Sequence, residues 1–245
     1  MAWRWLRSSL QRVRINLPFR GVICVEGTQT ITIDQEWRAS ITTRRKLVFL
    51  EQPSAEDLSD TYGLGVGEPI DDVMYTSPDA VELRRDRKVP GRLTLYWWPR
   101  EPVALYTLYE HEAGWRPLDA FDASALCVEY ACDMRTGAFS VECLAPRQLE
   151  AAVLFKRPRW PMRLTERRII QRALKELNSG PPLPQMLEDG RRVTCDIRGA
   201  KVGERYIFVA FRLCGVADSE RWLQETSFFG RAQRVIDRWA HALRG

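Results

Sequence analysis

The sequence predicts a mainly β protein of the α+β class: an antiparallel sandwich or barrel-like domain over 1–157, followed by a small basic α-β-β-α module over 162–245. Three observations predict it. Short alternating or β-branched runs separated by turn residues recur from Arg12 to Lys156, the period-2 signature of half-buried strands. Two prolines in Arg157-Pro158-Arg159-Trp160-Pro161 interrupt ladders and helices alike and mark a boundary. Beyond them, apolar residues take up the 3.6-residue spacing of helices on either side of two strand-like runs.

Met1-Ala2-Trp3-Arg4-Trp5-Leu6-Arg7 opens the chain as a basic, aromatic arm. It lacks the unbroken apolar core of a secretory signal. A helix would put Trp3, Leu6, Leu10 and Val13 on one face. Trp3 and Trp5 are candidate contacts to a protein partner, and an anionic membrane interface is the alternative for this segment alone.

Strands are predicted over 12–17, 20–25, 28–34, 37–50, 79–85, 91–98, 103–112, 124–134, 138–144 and 149–156. Leu126 to Met134 returning as Ala138 to Leu144 reads as a hairpin, with Arg135-Thr136-Gly137 as its turn. Tyr96, Trp97, Trp98, Tyr106, Tyr109 and Trp115 fall in a second hairpin joined by Pro99 to Pro102. Aromatics at this density suit a stacking platform or a β core, and the core is the commoner use. Trp97 and Trp98 are adjacent and must face opposite sides.

Between these strands, residues 51–78 carry seven acidic residues and no Lys or Arg. They read as a long loop, and loops of this length are commonly functional. Its Tyr62-Gly63-Leu64-Gly65-Val66-Gly67 run lacks the helix start and cationic setting of a phosphate loop, and its aspartates lack EF-hand spacing. Tyr62 and Leu64 are therefore candidate partner contacts.

In the C-terminal module, Thr165 can cap a helix whose inner face is Ile169, Ile170, Ala173, Leu174 and Leu177. Asn178 to Pro182 ends it. Val193, Cys195 and Ile197 alternate with polar residues in one strand, and Arg205 to Leu213 forms a second. The latter is apolar on both sides, with Ile207, Val209 and Phe211 on one and Tyr206, Phe208 and Ala210 on the other; one side suits the helices, and the other needs the β-domain or a partner chain against it. A last helix is predicted within 219–243, with Phe228, Ala232, Val235, Ile236, Trp239 and Leu243 inward.

No apolar run approaches the roughly 20 residues of a membrane-spanning helix, and a cytoplasmic location is expected. The six cysteines include no CxxC pair and none at ligand spacing to His111 or His241, which argues against zinc. They read as reduced, buried thiols, although Cys127 and Cys143 would share a face of the predicted hairpin. No metal or other cofactor is expected.

Charge divides the chain into three. Residues 1–50 hold nine Lys/Arg against three Asp/Glu, residues 51–150 nine against nineteen, and residues 151–245 nineteen against ten. Basic ends attract phosphates, acidic proteins or the acidic middle of the same molecule. Arg168, Arg172 and Lys175 line up opposite the apolar face of the first C-terminal helix, as do Arg231, Arg234 and Arg238 on the second. These are candidate contacts to nucleic acid or an acidic partner, with a solvated face as the plainer reading.

A catalytic reading would centre on His111 and Glu110. Alternation sends Glu110 and Glu112 to one face and His111 to the other, and no nucleophile signature accompanies them. His111 reads as a surface or boundary residue at a strand end. The expected function is a non-catalytic interaction or adaptor protein, a subunit or accessory component of a complex that binds a protein partner. Nucleic-acid binding through the basic helices is the first alternative and an enzyme around His111 and Glu110 the second.

Overall fold

Alternation decides which side of each strand meets the core. Along Val22–Ile33 (β1) and Ala39–Phe49 (β2), buried and more exposed side chains alternate, and the two strands pair antiparallel from Val22 with Phe49 to Ile33 with Ala39. The structure, a computed structural model, describes residues 21–53, 58–64, 73–76, 78–86, 92–116, 121–122, 125–132, 134–156, 166–179, 185–187 and 190–225. Within these residues the chain continues through β3 (Ser59–Leu64), β4 (Val73–Thr76), β5 (Ala80–Asp86), β6 (Arg92–Pro99) and β7 (Leu108–Arg116). Then come β8 (Phe121–Asp122), β9 (Ala125–Ala131), β10 (Arg135–Leu144), β11 (Leu149–Lys156) and helix α1 (Glu166–Asn178). It closes with β12 (Gln185–Leu187), β13 (Arg192–Arg198), β14 (Arg205–Arg212) and helix α2 (Gly215–Glu225).

The strands form two sheets. The first runs β12-β13-β10-β1-β2-β7-β4; the second runs β11-β14-β9-β3-β6-β5, with β8 paired to β9. Ile31, Ile41, Trp115 and Val141 of the first sheet share one core cluster with Leu126, Val128, Tyr130 and Phe208 of the second. A smaller cluster of Cys24, Leu47 and Phe49 with Trp97 joins the same two sheets elsewhere. The other side of the second sheet is covered by α1 and α2, whose Ile169, Ile170, Ala173, Leu174 and Trp222 pack on Cys127, Val153, Phe155, Ile207, Val209 and Phe211. Each Ile or Leu buried in that layer stabilises it by about 1.5–3 kcal/mol. The fold is mainly β within the α+β class, and β14 uses its two apolar sides as its sequence requires: Phe208 and Ala210 meet the first sheet, Ile207, Val209 and Phe211 the helices.

Several local expectations are corrected by the pairing. The 20–25 and 28–34 runs are one strand, β1, with a register shift between Cys24 and Glu26. The 51–78 segment is not a pause in the strands, because it contains β3 and β4. The 126–144 hairpin does not form: β9 pairs with β14 and β3, whereas β10 pairs antiparallel with β13 and in parallel with β1. Gly137 lies inside β10, and a Cβ there would stand 2.8 Å from the Val25 carbonyl oxygen; close backbone approach, not a turn, requires glycine. Nor do β6 and β7 form a hairpin, since they belong to different sheets. Trp97 is fully buried and Trp98 only half-buried.

β13 and β14 do not pair with each other. One joins each sheet, so the strands of the 162–245 segment complete the sandwich by backbone pairing. The last helix begins at Gly215, four residues ahead of expectation, after Cys214 in the left-handed region (φ 65). Its first turn is capped from a distance: the Val216 N–H donates to the Glu150 carboxylate on β11 at 2.9 Å, an N-terminal cap invisible to local sequence.

Candidate functional site

Cross-strand register on the outer side of the first sheet builds one continuous face. Even-numbered residues of β2 and β7 point outward, and beyond the shift in β1 so do Glu26 and Thr28. Pairing sets Glu26 beside Lys46 and Lys46 beside Glu110, then Thr28 beside Arg44 and Arg44 beside Glu112. Together with Asp79 these side chains line a cleft of about 540 Å³. Lys46 Nζ donates to Glu26 at 2.8 Å, which raises the Lys46 pKa. Arg44 is ion-paired to Glu112. Glu110 and Asp79 form no ion pair among the described residues. The lining, which also includes Gly27, Arg45 and His111, therefore holds four carboxylates against three cations, Arg44, Arg45 and Lys46.

The same register continues into an apolar row. Ile23 pairs with Val48 and Val48 with Leu108. Leu108 is 54% exposed, and at the adjoining turn Tyr106 is 73% exposed, with Leu50, Leu105 and Val25 also outward. Tyr106 holds a left-handed φ of 60°, strained for a bulky residue. The turn is pinned by its N–H to the Phe49 carbonyl oxygen at 2.9 Å and by Thr107 Oγ1 donating to the Ala104 carbonyl oxygen at 2.7 Å.

Behind this face the inner side chains are of another kind. His111 is buried, which corrects the surface or boundary expectation. Its ring stacks on Trp97 of the opposite sheet, and Arg45, paired with it across β2 and β7, is also buried. Alternation sends Glu110 and Glu112 to the opposite side of β7 from His111, yet all three residues line the same cleft. Burial and the neighbouring Asp79 push the Tyr109 phenol up to about 12.

The other sequence candidates disperse. Arg168, Arg172 and Lys175 are exposed on α1, with Arg172 ion-paired to Glu176. Arg231, Arg234, Arg238, Trp3 and Trp5 lie outside the described residues. Tyr62 and Leu64 are not on a free loop: the β3 backbone is paired on both sides, Tyr62 with Leu93 and Tyr130, Leu64 with Val128. Sequence reasoning did not single out Leu108 and Tyr106, which the structure leaves exposed. The signal for Leu108 was its shared parity with Glu110 and Glu112, meaningful only once Val48 and Ile23 are known to lie beside it.

Among the described residues, no group of three or more His, Cys, Asp or Glu is placed to hold a metal ion, and no helix is long and apolar enough to cross a membrane. All six cysteines are free. Cys214 is exposed, against the expectation of burial, and Cys127 and Cys143 lie in different sheets.

No family model matches the chain, and no curated protein matches it. Among solved structures it is similar to native leukotriene A4 hydrolase from Saccharomyces cerevisiae, with a TM-score of 0.40 and 9% identity over 78% of this chain and 29% of that one. It is similar also to the yeast enzyme in complex with bestatin, with a TM-score of 0.38, 7% identity and the same coverage. A third is a point mutant of a two-domain M1 zinc metallopeptidase bound to L-tryptophan, with a TM-score of 0.34 and 12% identity over 78% of this chain and 43% of that one. The chain spans less than half the length of each of these structures.

Proposed function

We propose that the protein is a non-catalytic interaction protein, a subunit or accessory component of a complex, and that a protein partner binds the outer face of its first sheet. One observation supports the reading above the others: the Ile23–Val48–Leu108 row, with Tyr106 73% exposed at its end, adjoins a charged cleft. Apolar side chains beside a polar rim are the anatomy of a binding surface. An exposed tyrosine in a strained, hydrogen-bonded turn is a pre-ordered anchor of the kind that dominates interfaces.

The test is affinity purification of wild type and of Tyr106→Ala/Leu108→Asp, each with and without nuclease. The expected result is a stoichiometric protein partner that survives nuclease and is lost from the variant. Loss of an anchor costs about 2 kcal/mol or more, roughly thirtyfold in affinity. Equal recovery by both proteins would sink the assignment of this face. Nucleic acid retained at moderate salt, with protein lost on nuclease treatment, would replace the reading with the nucleic-acid alternative.

A further inference from the structure

We propose that the partner adds an extended segment as a strand to the open edge of β7, and that this segment carries basic residues at alternate positions followed by an apolar one. The inference rests on the reading above and names the mode and the chemistry by which that face is recognised.

The edge arises where two strands part. β4 pairs with β7 from Val73 with Arg116 to Thr76 with Ala113, and stops there. Pro78, just beyond, has no N–H to continue a ladder, and from Ala80 the chain runs in the second sheet as β5. β7 itself continues to Leu108, paired all the way with β2 on its other side. Along Leu108–Glu110 no strand among the described residues takes the place that β4 has left. A strand edge of this kind is a template for another strand, and main-chain pairing supplies affinity while alternate side chains supply specificity. Glu110 is exposed there, and it lines the cleft together with Asp79.

The residue pattern selects what can add. Outward along β7 come Leu108, Glu110 and Glu112, and β2 answers them in order with Val48, Lys46 and Arg44; Arg44 is ion-paired to Glu112. A strand on the open side meets the same column, and Glu110 forms no ion pair among the described residues. Opposite charges set directly across strands attract and like charges repel, so basic residues are favoured opposite the glutamates and an apolar one opposite Leu108, where Tyr106 is exposed as well. The same column excludes a second copy. Registers of two β7 edges centred on this stretch oppose Glu110 to Glu110, Glu112 or Leu108 of the other copy. The glutamates thus discourage self-pairing while they select a basic segment.

The experiment titrates the purified full chain into a fluorescein-labelled synthetic peptide, Thr-Arg-Thr-Lys-Thr-Val-Thr, blocked at both ends, and reads fluorescence anisotropy. A second peptide has Glu in place of Arg and Lys. Two more are N-methylated on alternate amides, one on each set, which blocks pairing along one edge of the peptide and leaves the other edge intact. The parent should bind saturably, one methylated form should bind like it, and the other should lose binding. Charge reversal in the peptide should weaken binding about tenfold, as two attractive cross-strand pairs become repulsive. Glu110→Lys in the protein should weaken the parent and strengthen the Glu peptide. A parent that fails to bind, methylated forms that behave alike, or a charge preference that survives Glu110→Lys overturns the inference. A protein partner whose capture depends on Tyr106 and Leu108 but which the parent peptide does not displace would sink this inference alone and leave the partner reading standing.

Discussion

The imidazole of His111 lies flat on the indole of Trp97, ring centroids 3.6 Å apart and planes 11° from parallel. β7 supplies one ring and β6 the other, so the stack ties the two sheets together from within. Tyr109 lies parallel to the same indole at 6.3 Å and meets Phe49 edge-on at 5.8 Å. Trp97 is fully buried, yet its Nε1 has no hydrogen-bond partner among the described residues, so the indole contributes through packing. Trp97→Ala should cost about 3–5 kcal/mol. Trp97→Phe should cost far less, because no hydrogen bond is lost with the N–H. Urea unfolding separates the two cases; equal losses would mean that the N–H is bonded after all.

Gly27 sits opposite Phe139 across the parallel β1–β10 pair. A Cβ at Gly27 would come within 2.6 Å of Phe139 Cδ2 and 2.9 Å of Cε2. That ring has little room to retreat, being stacked on the buried Tyr130 at 3.7 Å. Gly27→Ala should therefore destabilise by about 1–3 kcal/mol through overpacking, and Phe139→Leu in the same chain should recover part of the loss. A double-mutant cycle measures the coupling; additive costs would show that the two residues do not press on each other.

These two sites show what a single sequence discloses. Period-2 alternation placed β11 at its observed bounds and showed both sides of β14 to be apolar without telling which side meets the helices, because burial on two faces leaves a continuous apolar run. Alternation reports the faces of a strand, not its neighbours. The chain passes from one sheet to the other between β6 and β7 and again between β9 and β10, so adjacent runs that resemble hairpins have distant partners. Gly137 read as a turn residue, although its constraint is the Val25 carbonyl more than 100 positions earlier. β3 and β4 were hidden because glycines and carboxylates around them depress strand propensity. The candidate face was illegible for the same reason: Ile23, Val48 and Leu108 become one row only through register.

Glu204 is a buried carboxylate with three donors. Lys156 Nζ, the Lys201 N–H at 3.1 Å and the Tyr206 hydroxyl at 2.8 Å all donate to it. In that order of cause, the Lys156 hydrogen bond first, they lower its pKa from the ordinary 4.5 to about 2. The folded value lies below the unfolded one, so the stabilisation is full above about pH 4.5 and is lost as pH falls toward 2. The urea midpoint of wild type should fall across that window, and that of Glu204→Gln, which has no charge to lose, should fall less. Parallel pH profiles would show that Glu204 does not contribute to acid sensitivity.

The exposed stripe of α1 amounts to Arg168, Arg172 and Lys175, with Arg172 engaged by Glu176. Three cations neutralise at most three phosphates, which limits the slope of log affinity against log salt to about −3 from this helix. The helix is held instead by its opposite side, where Ile169, Ile170, Ala173 and Leu174 are buried. Ile170→Ala should cost about 2–5 kcal/mol, whereas Arg168→Ala/Lys175→Ala should change stability by no more than about 0.5 kcal/mol. As a solvated face, the stripe should also leave any DNA or RNA affinity and its salt slope unchanged when those two residues are replaced. A fluorescence titration across salt concentrations reads this directly: a slope that becomes shallower by about 2 in the double variant would make the α1 stripe a phosphate-contacting surface and move the functional assignment from the first sheet to the helical layer.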